Sequence, residues 1–239
     1  ILQKGLSINS NDLAIINNLA NAFKNTYNYK EAEELYKLSI SKKNDYLNAY
    51  VNYGNLKRDL NKFEEAIELY KKALINNNKV PSIHYMLAMA YQSLGNFKEA
   101  ENFAKKTIEI DTKYTKADLL ISRSRKYTPK DSHLIEMNEK IKNINLNSLE
   151  KIDLYFAISK AYEDIGEMGQ CFEYLEKGNE LKRKNISFDL KFEQKTFRDI
   201  KTIFSKIDFS EYKNLDSNNK KIIFILGLPR SGTTLTEQI

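Results

Sequence analysis

The residues with the clearest chemical signature lie near the C-terminal end of the sequence, in the segment Gly227-Leu228-Pro229-Arg230-Ser231-Gly232-Thr233-Thr234. The preceding run 221–227 is rich in β-branched and aromatic residues, which predicts a strand buried on both faces. The residues that follow Thr234 predict the start of a helix. A strand, a glycine-bounded loop and a helix N-terminus together direct backbone N–H groups toward an anion. The segment therefore predicts a binding loop for a phosphate-like group.

The loop has the spacing G-x-x-x-x-G-K-[ST] but carries Thr233 in place of the lysine. That lysine contacts the β- and γ-phosphates in nucleoside triphosphatases, so its absence argues against ordinary triphosphate hydrolysis. The hydroxyls of Ser231, Thr233 and Thr234, together with Arg230, suit a doubly charged anion held without a metal. A nucleotide-binding protein of kinase type with an unusual phosphate loop stays an alternative.

The run 229–235 closely resembles the 5′-phosphosulfate loop of sulfotransferases that use 3′-phosphoadenosine-5′-phosphosulfate (PAPS), above all tyrosylprotein sulfotransferases and bacterial repeat-linked sulfotransferases. The resemblance implies PAPS as the sulfuryl donor, a hydroxyl or amine as the acceptor, and no metal. It also implies that Arg230 stabilises the transferred group and that the catalytic base lies beyond Ile239. The implied cofactor-binding residues are Gly227, Pro229, Arg230, Ser231, Gly232, Thr233 and Thr234.

Upstream of this segment the sequence repeats itself every 34 residues, as Ala32, Ala66 and Ala100 illustrate. A second set of small residues keeps the same step, at Ala20, Gly54 and Ala88. Each copy has the apolar spacing of two amphipathic helices that are joined by a tight turn. The low content of three Pro and eight Gly also favours a mostly helical chain.

The pattern resembles the tetratricopeptide repeat (TPR), although Lys57 occupies a position that is aromatic in the neighbouring copies. The resemblance implies a right-handed α-solenoid in which the first helix of each pair lines a concave groove. Asparagine amides can both donate to and accept from a peptide backbone, so we expect the groove to bind a protein or peptide. The family's carboxylate clamp is not expected, because Ser82 and Met86 occupy two of its positions. The expected groove residues are Asn17, Asn21, Lys24, Val51, Asn55, Arg58, Tyr85, Met89 and Gln92.

The repeat phase predicts the domain organisation. Repeats are expected over 1–186, a bridging helix and linker over 187–219, and the first strand and phosphate loop of a truncated α/β sulfotransferase domain over 220–239. Because both ends fall inside such elements, the chain is expected to be a fragment. Within the repeat region we expect a repeat tail at 1–12, full repeats at 13–46, 47–80 and 81–114, a degenerate repeat at 115–151 and a repeat-like pair at 152–185.

The composition narrows the classes of protein that fit. Fifteen Tyr and twelve Phe in 239 residues argue against disorder, and a single Cys excludes a disulfide framework. The net charge of +6 is spread along the chain and indicates no nucleic-acid partner. His84 and His133 lie in different repeats without partners at ligand spacing, so no metal site is expected. The absence of a targeting or membrane segment favours the cytoplasm.

Three functions are compatible with this sequence. The first is a PAPS-dependent sulfotransferase whose repeats recognise the acceptor or a partner protein, with the present chain inactive by itself because a single strand cannot make a sheet. The alternatives are a TPR scaffold for protein–protein interaction without catalysis, or a nucleotide-binding protein whose phosphate loop lacks the lysine. The continuation of the reading frame beyond Ile239 would distinguish the sulfotransferase from a nucleotide-binding protein of kinase type.

Overall fold

The computed structural model describes residues 12–75, 77–186 and 189–207. The predicted strand and phosphate loop, 220–239, and nearly all of the predicted repeat tail lie outside these residues. The chain divides into two units, 1–187 and 188–239. Of the second unit the structure describes one amphipathic helix, Leu190–Phe204, with Asp189 as its N-cap. All other described helices belong to the first unit.

The first unit is a solenoid of helix pairs, and its described residues form no β-strand. The first three pairs are α1 (Leu13–Asn25) with α2 (Tyr29–Lys42), α3 (Leu47–Asp59) with α4 (Phe63–Leu74), and α5 (Pro81–Ser93) with α6 (Phe97–Ile110). Four further helices follow, α7 (Thr115–Ser124), α8 (Ser132–Asn143), α9 (Ser148–Ile165) and α10 (Met168–Asn185). The helix of the second unit is α11.

Small residues allow the two helices of a pair to approach closely. Ala20 and Ala32 are fully buried in one apolar cluster, and Ala88 and Ala100 are fully buried in another. The last pair uses Ser159 and Cys171 in the same way, with the Ser159 hydroxyl donating to the Cys171 carbonyl at 3.0 Å. Cys171 is therefore a buried free thiol that packs as a small apolar residue, as its position in the repeat predicts.

The turns inside four of the five helix pairs share one backbone conformation. Tyr27, Asn61, Gly95 and Gly166 all have positive φ, between 57° and 84°. The residue after each of them donates its N–H to a carbonyl five residues back, as Asn96 does to Tyr91 at 2.9 Å. This is the hydrogen bond of a Schellman helix ending, and it satisfies a carbonyl that the ending helix leaves free.

The left-handed turn residue gives the first testable prediction. Gly95→Ala should lower the free energy of unfolding by about 1 kcal/mol, because an L residue with a Cβ strains at a φ of +73°. No atom lies within 4 Å of the added Cβ, so the loss would come from the backbone alone. The control is Gly169→Ala, a helical glycine with equally open surroundings, which should be neutral or stabilising. Urea unfolding measures both; equal effects would contradict the assignment.

The fourth pair departs from the repeat. Residue 134 is Leu where the three full repeats have Ala32, Ala66 and Ala100, so α8 cannot approach α7 as closely as the earlier second helices approach their partners. Leu134 is instead buried in an apolar cluster with residues of α9, among them Leu154 and Ile158. Helix α7 packs against α6 and α9. The predicted degeneracy of this segment thus takes the form of a displaced second helix.

Candidate functional site

The first helices of successive pairs form the inner layer of the solenoid. Helix α1 contacts α3, α5 contacts α7, and α7 packs extensively against α9. The second helices make no comparable contact with one another in the described part of the chain. The residues predicted to line the groove all lie on α1, α3 and α5, so they share this inner layer.

Two of the predicted groove residues are held by tyrosines of the outer layer. The Tyr36 hydroxyl donates to Asn21 Oδ1 at 2.6 Å, and the Tyr70 hydroxyl donates to Asn55 Oδ1 at 2.8 Å. Both bonds join residues 15 positions apart, so they are copies of one arrangement. Burial raises the pKa of Tyr36 and of Tyr70 to about 12, so both hydroxyls keep the proton they donate. The third repeat has Met89 and Ala104 at these positions and lacks the bond.

The other predicted groove residues tie neighbouring repeats together. Asn17 is buried and accepts a hydrogen bond from Asn52 at 3.3 Å. Lys24 forms a salt bridge with Asp59 at 3.1 Å, and Asp59 also binds Arg58. Val51 and Met89 pack at the edges of two apolar clusters, and Gln92 donates to Ser124 Oγ at 2.9 Å. Most of these side chains therefore have a partner within the chain.

A cavity that was not predicted from the sequence lies beside Tyr85. The Tyr85 ring lies 5.1 Å from that of Tyr114, centroid to centroid. Tyr114 lines a solvent-open cavity between the start of α7 and the start of α9, together with Asp111, Lys113, Thr115, Lys116, Asn147, Leu149, Glu150 and Asp153. The Thr115 hydroxyl donates weakly to Asp153 at 3.4 Å. Asp153 lies 38 positions from Thr115, and the repeat pattern carries no signal that would pair the two residues.

The electrostatics of this cavity centre on Asp153. Burial raises the pKa of the Asp153 carboxyl, and the nearby Lys116, Thr115 and Arg123 only partly offset that effect. Asp153 is the carboxyl among the described residues whose pKa is raised, and it lines this cavity. Burial also raises the pKa of Tyr85 and Tyr114, so both rings stay neutral.

A buried lysine fills the aromatic position noted in the second repeat. The Lys57 side chain is 5% exposed, and its ammonium lies 3.2 Å from Glu33 and 2.7 Å from Glu65. The same ammonium lies 5.1 Å from the centre of the Tyr53 ring, whose hydroxyl donates to Glu33 at 2.6 Å. Two carboxylates and an aromatic face thus replace the solvation that the buried cation loses.

A second buried cluster joins α7 to α8. Lys140 Nζ lies 2.8 Å from both carboxylate oxygens of Asp118. His133 Nε2 lies 3.2 Å from Asp118, and its other ring nitrogen lies 2.7 Å from the Tyr127 hydroxyl. All four side chains are buried. Each of these four side chains has a polar partner within the cluster, so its role is to hold the displaced helix.

The residues implied for cofactor binding, Gly227 to Thr234, lie outside the described part of the chain. Within the described ranges no group of three or more His, Cys, Asp or Glu residues is placed to hold a metal ion. Over the same residues no helix is long and apolar enough to span a bilayer.

Family models of the tetratricopeptide repeat match three stretches of the chain, residues 13–43, 45–113 and 152–185. Together these stretches cover more than half of the sequence. The segment 115–151, where the second helix is displaced, falls between the second and third matches.

Solved structures with the same fold include three of low sequence identity. YrrB, described as a TPR protein with an unusual peptide-binding site, is 18% identical with a TM-score of 0.56, covering 75% of this chain and 91% of its own. MamA is 18% identical with a TM-score of 0.57, covering 74% and 97%. PilF of Pseudomonas aeruginosa is 17% identical with a TM-score of 0.56, covering 82% and 86%.

A sequence relative is an uncharacterized protein of Aquifex aeolicus (strain VF5), which is 36% identical over 84 residues. The match covers 35% of this chain and 11% of that relative's length. The similarity thus extends over only a small part of the relative.

Proposed function

Because the chain is a tetratricopeptide repeat protein, we propose that its inner face binds an extended segment of a partner protein. YrrB, which shares the fold, is described as having a peptide-binding site. The proposal rests mainly on one observation of this chain, the two tyrosine–asparagine bonds that fix the amides of Asn21 and Asn55 on the inner helices.

The fixed amides suit a peptide backbone. Each amide oxygen accepts from a tyrosine hydroxyl, and the NH₂ group on the other side of the same amide takes part in no hydrogen bond within the described chain. Both asparagines are only partly buried, so these N–H donors can reach a ligand carbonyl. Because the tyrosines hold the rotamers before binding, little side-chain entropy would be lost when the peptide binds.

Peptides selected from a phage-displayed random library on the whole chain would test this function. Asn55→Asp keeps the acceptor for Tyr70 and removes the N–H donors, so a selected peptide should bind about tenfold more weakly, as loss of one buried hydrogen bond predicts. The matched control is Asn102→Asp, an exposed position on α6 with the same change of charge. Equal affinities for the wild type and Asn55→Asp, or no selected peptide at all, would refute the proposal.

A second function is proposed for the protein that carries this chain, PAPS-dependent sulfuryl transfer, and it is supported by sequence alone. The observation that favours it is the segment Gly227 to Thr234 behind a hydrophobic run, with Thr233 replacing the lysine of triphosphatases. In this proposal the loop backbone binds the 5′-phosphate, and Arg230 contacts the phosphosulfate oxygens. The base and the 3′-phosphate contacts would come from residues after Ile239.

Isothermal titration with adenosine 3′,5′-bisphosphate tests this second function in a protein whose reading frame continues past Ile239. Arg230→Ala should weaken binding by about tenfold or more, because a charge-assisted bond to an anion is lost. Lys220→Ala, the control, removes one positive charge just before the hydrophobic run and should leave binding unchanged. Absence of binding, or equal binding by Arg230→Ala, would rule out the assignment.

A further inference from the structure

We propose that the cavity between the starts of α7 and α9 is a specificity pocket for a cationic side chain, Lys or Arg, of the bound peptide, with Asp153 as the anionic partner and Tyr114 as an aromatic wall. The inference rests on the proposed peptide binding and adds the chemistry of the residue that is recognised. Three observations of the described residues support it.

The first observation is a carboxylate without an ionic partner. Asp153 is half-buried, and within the described part of the chain it accepts a hydrogen bond from the Thr115 hydroxyl at 3.4 Å. No lysine or arginine of the described residues lies within salt-bridge distance of it, whereas the buried Asp118 and the partly buried Asp131 are both paired. Its burial costs solvation, which the charges of Lys116 and Arg123 and the Thr115 hydrogen bond offset only in part. A cation brought by a ligand would supply the missing partner.

The second observation is the aromatic surface beside this carboxylate. Tyr114 lines the same cavity as Asp153, and Tyr85 packs on Tyr114 at an interplanar angle of 48°. An ammonium or guanidinium group is attracted to the face of a tyrosine ring, most strongly where water is partly excluded. A carboxylate next to aromatic rings therefore suits a cation with an aliphatic stem, which can pack its methylene groups on the rings.

The third observation is the balance of charge in the cavity. Asp111, Glu150 and Asp153 line it against Lys113 and Lys116. Glu150 accepts a bond from the Asn147 backbone and Asp111 accepts one from the Lys113 backbone, so both carboxylates stay in place as helix and turn caps. Arg123 lies near enough to favour the charged form of Asp153, but no salt bridge joins the two side chains. The excess of negative charge is thus local, on a chain whose net charge is +6.

The experiment is the same random-peptide selection on the whole chain, with the residue content of the selected peptides as its readout. The wild type should enrich peptides that contain Lys or Arg. The net charge of +6 on the chain would by itself favour acidic peptides, so this enrichment would have to come from the pocket. Asp153→Asn, which is nearly isosteric, should lose that enrichment, and Tyr114→Leu should reduce it. Glu64→Gln, the control, removes one exposed carboxylate on α4 and should keep the enrichment.

A labelled Lys-containing peptide selected on the wild type should bind Asp153→Asn at least about tenfold more weakly. Removal of an under-solvated carboxylate should not lower the thermal midpoint of the variant, so lost binding would not reflect unfolding. Enrichment of acidic or uncharged peptides, or equal binding by Asp153→Asn, would overturn the inference while peptide binding itself stands. If no peptide is enriched at all, the proposed function fails, and this inference fails with it.

Discussion

Lys140→Met is expected to lower the free energy of unfolding by roughly 3–5 kcal/mol, the largest effect of any substitution considered for this chain. The Asp118 side chain is 1% exposed, and both of its oxygens lie 2.8 Å from the lysine ammonium. Without that ammonium, the Asp118 carboxylate would stay buried, and His133 would be its remaining side-chain partner in this cluster. Methionine fills a similar volume, so the loss would come from the unpaired charge and not from a cavity.

Two further variants isolate the cause of this loss. Lys142→Met changes an exposed lysine of the same helix and should cost less than about 0.5 kcal/mol. The double variant Asp118→Asn with Lys140→Met removes both charges and keeps an acceptor for His133, so it should recover most of the stability. Urea unfolding followed by circular dichroism measures all three. A loss below 1 kcal/mol in Lys140→Met, or no recovery in the double variant, would show that the ion pair is not what holds α8.

Lys57→Met should have the second largest effect, a loss of about 2 kcal/mol in the free energy of unfolding. The ammonium has two carboxylate partners, but Glu65 is half exposed and Glu33 keeps bonds from Lys37 and Tyr53, so the residues left behind are better solvated than Asp118. Lys72→Met, an exposed lysine of α4 in the same repeat, is the control and should be nearly neutral. Equal midpoints for Lys57→Met and the wild type in urea unfolding would contradict the prediction.

The pH dependence provides an independent measurement of the same cluster. Burial would raise the pKa of Glu33, but hydrogen bonds from Lys37, Tyr53 and Lys57 lower it from 4.5 to about 2. A lowered folded-state pKa stabilises the fold above pH 4.5, and the contribution is lost as the pH falls to about 2. Glu33→Gln should therefore show a fall in unfolding free energy over that window that is roughly 2 kcal/mol smaller than in the wild type. Identical pH profiles would exclude this role for Glu33.

Much of the helical architecture could be predicted from residue types at a fixed step. Small residues every 34 positions, at Ala32, Ala66 and Ala100, require a close helix pair in each copy. Each of these three copies does fold as such a pair, and its alanine is fully buried. The 34-residue spacing also shows that Lys57 stands at a position that is aromatic in the neighbouring copies, but it does not explain why a lysine is tolerated there. Its partners, Glu33 and Glu65, come from the second helices of two different repeats, and only their approach in space brings both to one ammonium.

The inner face was predicted less completely than the helices. The repeat phase assigned Asn21 and Asn55 to the first helices, yet it did not indicate that Tyr36 and Tyr70 would fix their amides. It also missed Asp153, because the cavity forms only where α9 packs on α7, in the segment where the repeat breaks down. A periodic pattern predicts contacts that recur in every copy, and this cavity occurs at a place where the copies differ.

The sequence by itself determined the period, the small residues of each helix pair and a phosphate-loop motif, since these depend on residue types at fixed spacing along one chain. The tertiary structure decided which polar groups become partners. Asp118 with Lys140, Lys57 with its two glutamates, and the unpaired Asp153 are set by distances between elements that lie far apart in sequence. The free energy of a charge depends on its burial and its neighbours, and both are properties of the packed solenoid.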